Sequence, residues 1–96
     1  MARVYGTHQS ASVSHLMRIG TMAMRRGDHR AARAAFLGAH AEDATCAEVC
    51  NKLAALYHKS EEPEQCILWA EKTLATNTRH FGALAGLAVS LSVLGP

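Results

Sequence analysis

The side chains best equipped for chemistry are three cysteines and six histidines in a chain of 96 residues. Cys46 and Cys50 stand four apart, so a helix would place them on one face, where sulfur and a nearby imidazole suit zinc. Structural zinc sites ordinarily use paired Cys-x-x-Cys steps, and this chain has none. Cys50 and Cys66 fall instead at helix-packing positions, where cysteine acts as a small hydrophobe. His15, His29, His40, His58 and His80 lie near expected helix ends or polar faces, which makes them solvated or capping. Hydrolysis needs a nucleophile, a base and an orienting group in one pocket, and neither a Gly-x-Ser-x-Gly elbow nor a phosphate loop is present. The expectation is a non-enzymatic chain without metal or cofactor, whose work is done by a surface.

That surface is positioned by a repeat. Gly20, Gly27, Ala32, Phe36 and Ala39 are answered 34 residues later by Ala54, Glu61, Cys66, Ala70 and Thr73, and 34 beyond that by Ala88 and Gly95. A fixed period of this length means stacked helical hairpins. Ser12 or Ser14 caps a first helix bearing Leu16, Ile19 and Ala23, which ends at the Arg25-Arg26-Gly27-Asp28 turn. Asp28 caps a second helix with a small-residue stripe through Ala31, Ala32, Ala35, Phe36 and Ala39. Thr45 and Glu48 form a capping box for a third helix from near Cys46 to about His58. Pro63 among Glu61, Glu62 and Glu64 opens a fourth, to about Ala75, and Thr78 caps a fifth that runs to Leu94 before Gly95-Pro96. The expected fold is all-α, an α-α superhelix of five helices. Residues 1–12 form a flexible arm, followed by repeats over 13–46 and 47–80 and a half repeat over 81–96.

Two helices per 34 residues, with Leu16, Ile19, Gly20 and Ala23 on the first and Gly27, Ala32, Phe36 and Ala39 in the turn and second helix, resemble the tetratricopeptide (TPR) repeat. Cys50, Leu53, Ala54 and Tyr57 match in the second copy, while Glu61 replaces the turn glycine and Ala70 the usual aromatic. The resemblance implies a concave groove lined by first helices: Ser14, Met17, Thr21, Met24 and Arg25, then Glu48, Asn51, Ala55, His58 and Lys59, then Gly82, Ala85, Val89, Ser92 and Val93. The family's groove for C-terminal carboxylates needs lysines and asparagines where Met17 and Thr21 stand, so that ligand is disfavoured. More loosely, size, repeat type and an open end are similar to the small TPR-type chaperones of bacterial type III secretion systems.

Composition narrows the partner. No stretch reaches the roughly 18 to 20 uncharged apolar residues that span a bilayer, and the start lacks the apolar core of a secretory signal. With an odd number of cysteines, the expectation is a reducing cytoplasm. Residues 1–40 hold six arginines against Asp28 alone, whereas residues 41–76 hold seven acids against three lysines. Nucleic acid is a third-ranked partner, because no aromatics interleave the arginines for stacking. The fifth helix carries no charge from Phe81 to Leu94; Leu84, Leu87, Leu91 and Leu94 make one stripe, with Ala85, Val89 and Val93 beside it. A terminal solenoid helix ordinarily shows water a polar face. The expected function is an interaction module, a chaperone or adaptor that masks an apolar helix of a partner protein along Leu87, Leu91 and Leu94 and into the groove at Met17, Thr21, Met24, Asn51, Ala55, His58, Ala85, Val89 and Val93. The alternative is a self-assembling scaffold that stacks this end on another copy as a homo-oligomer.

Overall fold

A computed structural model describes residues 10–77 and 81–94. It contains five helices, α1 (Ala11–Arg25), α2 (His29–Glu42), α3 (Ala47–Lys59), α4 (Pro63–Thr76) and α5 (Phe81–Leu94), and no strand among the described residues. The turns α1–α2 and α3–α4 are three residues long, which makes each an antiparallel hairpin. The hairpins stack so that α3 lies at the centre, against α2, α4 and α5. The protein is an all-α helical-repeat fold.

The repeat is most literal at its turns. Gly27 has φ +77°, the left-handed region, with Gly27 N–H donating to Met24 O at 2.9 Å and Asp28 N–H to Ala23 O at 2.9 Å. These two bonds are the Schellman closure, and they satisfy carbonyls that the end of a helix leaves open. Thirty-four residues on, Glu61 N–H donates to His58 O at 3.1 Å, Glu62 N–H to Tyr57 O at 2.9 Å, and Glu61 has φ +58°. Register therefore forces a glutamate into a backbone state that glycine occupies more easily. Glu61→Gly should raise stability by about 0.5 to 1 kcal/mol and Gly27→Ala should lower it by about 1 kcal/mol. Urea unfolding of both variants reads this, and a destabilised Glu61→Gly would refute it.

Two caps differ from the sequence expectation. Ser10, not Ser12 or Ser14, caps α1, accepting from Val13 N–H at 3.1 Å, so the helix begins at Ala11 and the arm ends earlier than residue 12. Ser10 takes the extended conformation of a cap, while Ala11 and Ser12 are tolerated in the first turn. The Thr45–Glu48 capping box does not form at the helix start: Cys46 is the cap residue and makes no side-chain cap bond. Thr45 instead donates its hydroxyl to Asp43 Oδ1 at 2.6 Å and its backbone N–H to the same atom at 3.0 Å, because the Asp43 carboxylate is the stronger acceptor two residues away. Those bonds, the hydroxyl first, hold the Asp43 carboxyl below its ordinary range. Their small contribution is present above the ordinary aspartate range and is lost as pH falls through the lowered value. Asp28 caps α2 as expected, accepting from Ala31 N–H at 3.1 Å, and Pro63 opens α4. Thr78, expected to cap α5, and the rest of the arm lie outside the described residues.

The core runs from Val13 through Phe36, Val49, Leu53, Leu56 and Cys66 to Ala70, with Leu16 and Leu87 packed on its edge. Burial of this set supplies the main driving force for stacking. Within the first hairpin, Phe36 is fully buried against Gly20, where a methyl group would lie 2.7 Å from one ring carbon and 2.8 Å from Cζ. The second hairpin solves the same crossing with Ala54 and Ala70, both buried. Thr73, where the first repeat has Ala39, is tolerated in the core because its hydroxyl donates to Trp69 O at 2.9 Å.

Candidate partner-binding surface

The 34-residue register allows the same face to be compared on three helices. On α1, Gly20 and Ala23 are buried and Leu16 half-buried under α2; on α3, Cys50, Ala54 and Tyr57 are buried under α4. The equivalent residues of α5 are Leu84, Ala88 and Leu91, and all three are exposed, Leu84 by 44% and Leu91 by 51%. Beside them Val89, Val93 and Leu94 are exposed too, so most of the large side chains of this uncharged helix face water. The inner face of α5 is different: Ala83 and Ser90 are buried, as are their equivalents Val49 and Leu56.

This division corrects one part of the expected leucine stripe. Leu87 is half-buried and packs on the core, in the register of fully buried Leu53, whereas Leu84, Leu91 and Leu94 remain outside. Leu87 lies four residues after Ala83 and three before Ser90, so it stands beside the inward side of α5, while Leu84 and Leu91 are rotated further from that side.

The residues expected to line a groove are all at least partly accessible. Ala55, His58, Ala85, Val89 and Val93 are exposed, and Met17, Thr21, Met24 and Asn51 are half-buried. Met17 and Met24 are half-buried and also pack on the core, so each serves the interior and the surface together. The opposite end of the stack shows Ile19 at 42% and Met22 at 51% exposure, in the register of buried Leu53 and Leu56.

The groups that first suggested chemistry are placed as follows. Cys50 and Cys66 are buried, Cys46 is half-buried, and none of the three is in a disulfide. Burial pushes the Cys50 thiol above its ordinary range, against a smaller opposing effect of Lys72. Among the described residues no three His, Cys, Asp or Glu side chains gather as metal ligands. Two histidines are not merely solvated. His40 sets its ring edge-on to Trp69, with centroids 4.9 Å apart, and His29 Nδ1 lies 3.2 Å from Ser60 Oγ, tying α2 to the end of α3. Trp69, which no repeat position singled out, also carries Lys72 Nζ 5.4 Å from its ring.

No protein-family model matches this chain, and no curated protein matches it in sequence. The site must therefore be read from its own chemistry. No helix of the described residues is long and apolar enough to cross a membrane. At 14 residues α5 is too short to be a span, yet Leu84, Val89, Leu91, Val93 and Leu94 are all exposed along it.

Proposed function

We propose that this chain is a non-enzymatic protein–protein interaction module of the tetratricopeptide type, a chaperone or adaptor of a reducing, cytoplasmic compartment that takes up an apolar helix of a partner protein. The observation that carries the reading is the uncovered face at Leu84, Ala88 and Leu91, whose counterparts on α1 and α3 are covered by an antiparallel helix of the same chain. The partner helix lies antiparallel on α5 and extends toward Met17, Met24, Ala55, Val89 and Val93. The repeat type and the exposed apolar face of α5 suit a chaperone that guards a subunit of a secretion system.

The hairpins also indicate the shape of the ligand. Gly20 admits the Phe36 ring, but Ala88 corresponds to Ala54, which is paired with small Ala70. A helix docking on α5 therefore carries a small residue opposite Ala88. A synthetic peptide of residues 62–77, the α4 sequence, should bind saturably, and a peptide of residues 28–43, carrying Phe36, should bind at least about tenfold more weakly, because overpacking costs about 1 to 3 kcal/mol. Leu91→Asp should weaken capture of the first peptide at least about tenfold, the equivalent of one lost apolar burial. Fluorescence anisotropy measures all three. Equal affinity for both peptides, or indifference to Leu91→Asp, would sink the assignment.

A second reading is favoured by one feature: Ala88 lies between Leu84 and Leu91 on a helix without charge, a patch that can meet its own copy about a two-fold axis. Light scattering that finds a discrete dimer, dissolved by Leu91→Asp, selects this self-assembling scaffold instead.

A further inference from the structure

A cleft of about 470 Å³ opens where the α3–α4 turn meets the last turns of α5, lined by His58, Glu61, Glu62, Pro63, Ser90 and Val93. Its origin follows from the register. At the preceding junction, His29 at the start of α2 approaches Ser60 at the end of α3, with Nδ1 and Oγ 3.2 Å apart, and fully buried Leu56 fills the space behind. Here the equivalent positions hold Pro63, Leu94 and Ser90. Neither Pro63 nor Leu94 has a side-chain polar atom to bridge the gap, and serine is much smaller than leucine. The junction stays open.

Ser90 is more than a smaller residue. It is 1% exposed, and its Oγ has no hydrogen-bond partner among the described residues. The hydroxyls of Ser60, Thr73 and Thr76 each donate to the carbonyl four residues back, at Leu56, Trp69 and Lys72, and that of Ser90 does not. A buried hydroxyl left unpaired is unfavourable, and an incoming polar group that meets it removes the penalty. Glu61 and Glu62 add two exposed carboxylates, neither ion-paired with a described residue, and the carbonyl ends of α3 and α5 add partial negative charge against the partial positive charge of the α4 start at Pro63, which the two full carboxylate charges outweigh. Pro63 and Val93 supply apolar surface.

We infer that this cleft receives the guanidinium of an arginine carried by the partner helix, with Glu61 and Glu62 pairing with its fork, Ser90 Oγ accepting a further N–H, and Pro63 and Val93 flanking the methylene stem. Arginine fits because its planar head offers five donors and no acceptor, and its stem packs on apolar walls. The inference rests on the docking proposed above: a helix antiparallel to α5 begins at the end of α5 where the cleft opens, so the arginine belongs near that helix's start.

The test uses the full chain and n-butylguanidinium, with neutral n-butylurea as the comparison, followed by amide chemical shifts in NMR. The guanidinium should give saturable shifts at Glu61, Glu62, Ser90 and Val93, and the urea none at equal concentration. Exchanging both carboxylates, Glu61→Gln with Glu62→Gln, should weaken binding about tenfold, as loss of charge-assisted pairing requires. Ser90→Leu, which installs the residue type of the preceding junction, should abolish binding while the amide spectrum stays that of a folded chain. Equal titration by the urea, or unchanged binding by folded Ser90→Leu, overturns the inference. If n-butylguanidinium titrates the cleft while the α4 peptide fails to dock on α5, the helix-docking reading falls and the cleft's preference for guanidinium stands. The opposite pair of results overturns the arginine and leaves the docking in place.

Discussion

Phe36→Ala is expected to lower the stability of the chain by about 3 to 5 kcal/mol, the range for deleting a fully buried ring. A domain of this size commonly has about 5 to 10 kcal/mol in total, so the variant should be only marginally folded. The more telling result is its coupling to Gly20. In the native background Gly20→Ala drives a methyl group into the Phe36 ring and should cost about 1 to 3 kcal/mol. Once the ring is removed, the same substitution recreates the Ala54–Ala70 solution of the second hairpin. It should then stabilise by about 0.5 to 1 kcal/mol, through helix propensity and partial filling of the cavity. A double-mutant cycle in urea measures the reversal of sign. Strict additivity would mean that the two residues do not share a packing site.

Leu53→Ala is the second large effect, expected at about 2 to 5 kcal/mol. Leu53 is fully buried in the middle of α3, the helix that touches α2, α4 and α5, so a cavity there loosens both hairpins and the terminal helix together. Leu91→Ala removes the same side chain from a half-exposed site and should change stability by no more than about 0.5 kcal/mol in the isolated chain. Thermal melts followed by circular dichroism compare the two. Similar losses would show that Leu91 is packed on the fold, and the open face would then be wrongly placed.

How far these features were legible in the sequence depends on what sets each of them. The hairpins were legible because glycine and small residues at crossings are demanded by backbone contact: Gly27 and Gly20 mark their positions, and Glu61 could be located by counting 34 residues although its type argued against a left-handed turn. Cap identity was less legible. Ser10, Ser12 and Ser14 are chemically alike, and only the backbone bend at Ser10 selects among them. Thr45 and Glu48 had the right spacing, but Asp43 competed for the threonine. On α5 the hydrophobic pattern could not give the rotation, since a helix apolar on every side carries no amphipathic signal. The register did carry that information, because Leu87 aligns with buried Leu53 and Leu91 with Tyr57. Ser90 and Trp69 were missed for related reasons: a serine among leucines reads as neutral, and a tryptophan off the repeat positions reads as surface. Reading Ser90 against Leu56 would have exposed the missing bulk.

The paired Schellman closures have a kinetic consequence. Each hairpin ends its first helix with bonds between residues at most five apart, so neither closure requires the other hairpin to be in place. The chain thus has two independent places to begin folding, each paying only local loop closure, and the search that remains is the docking of one preformed unit on another. α5 enters last in such a scheme, since no described helix closes a hairpin with it and it packs on the surface that α3 and α4 provide.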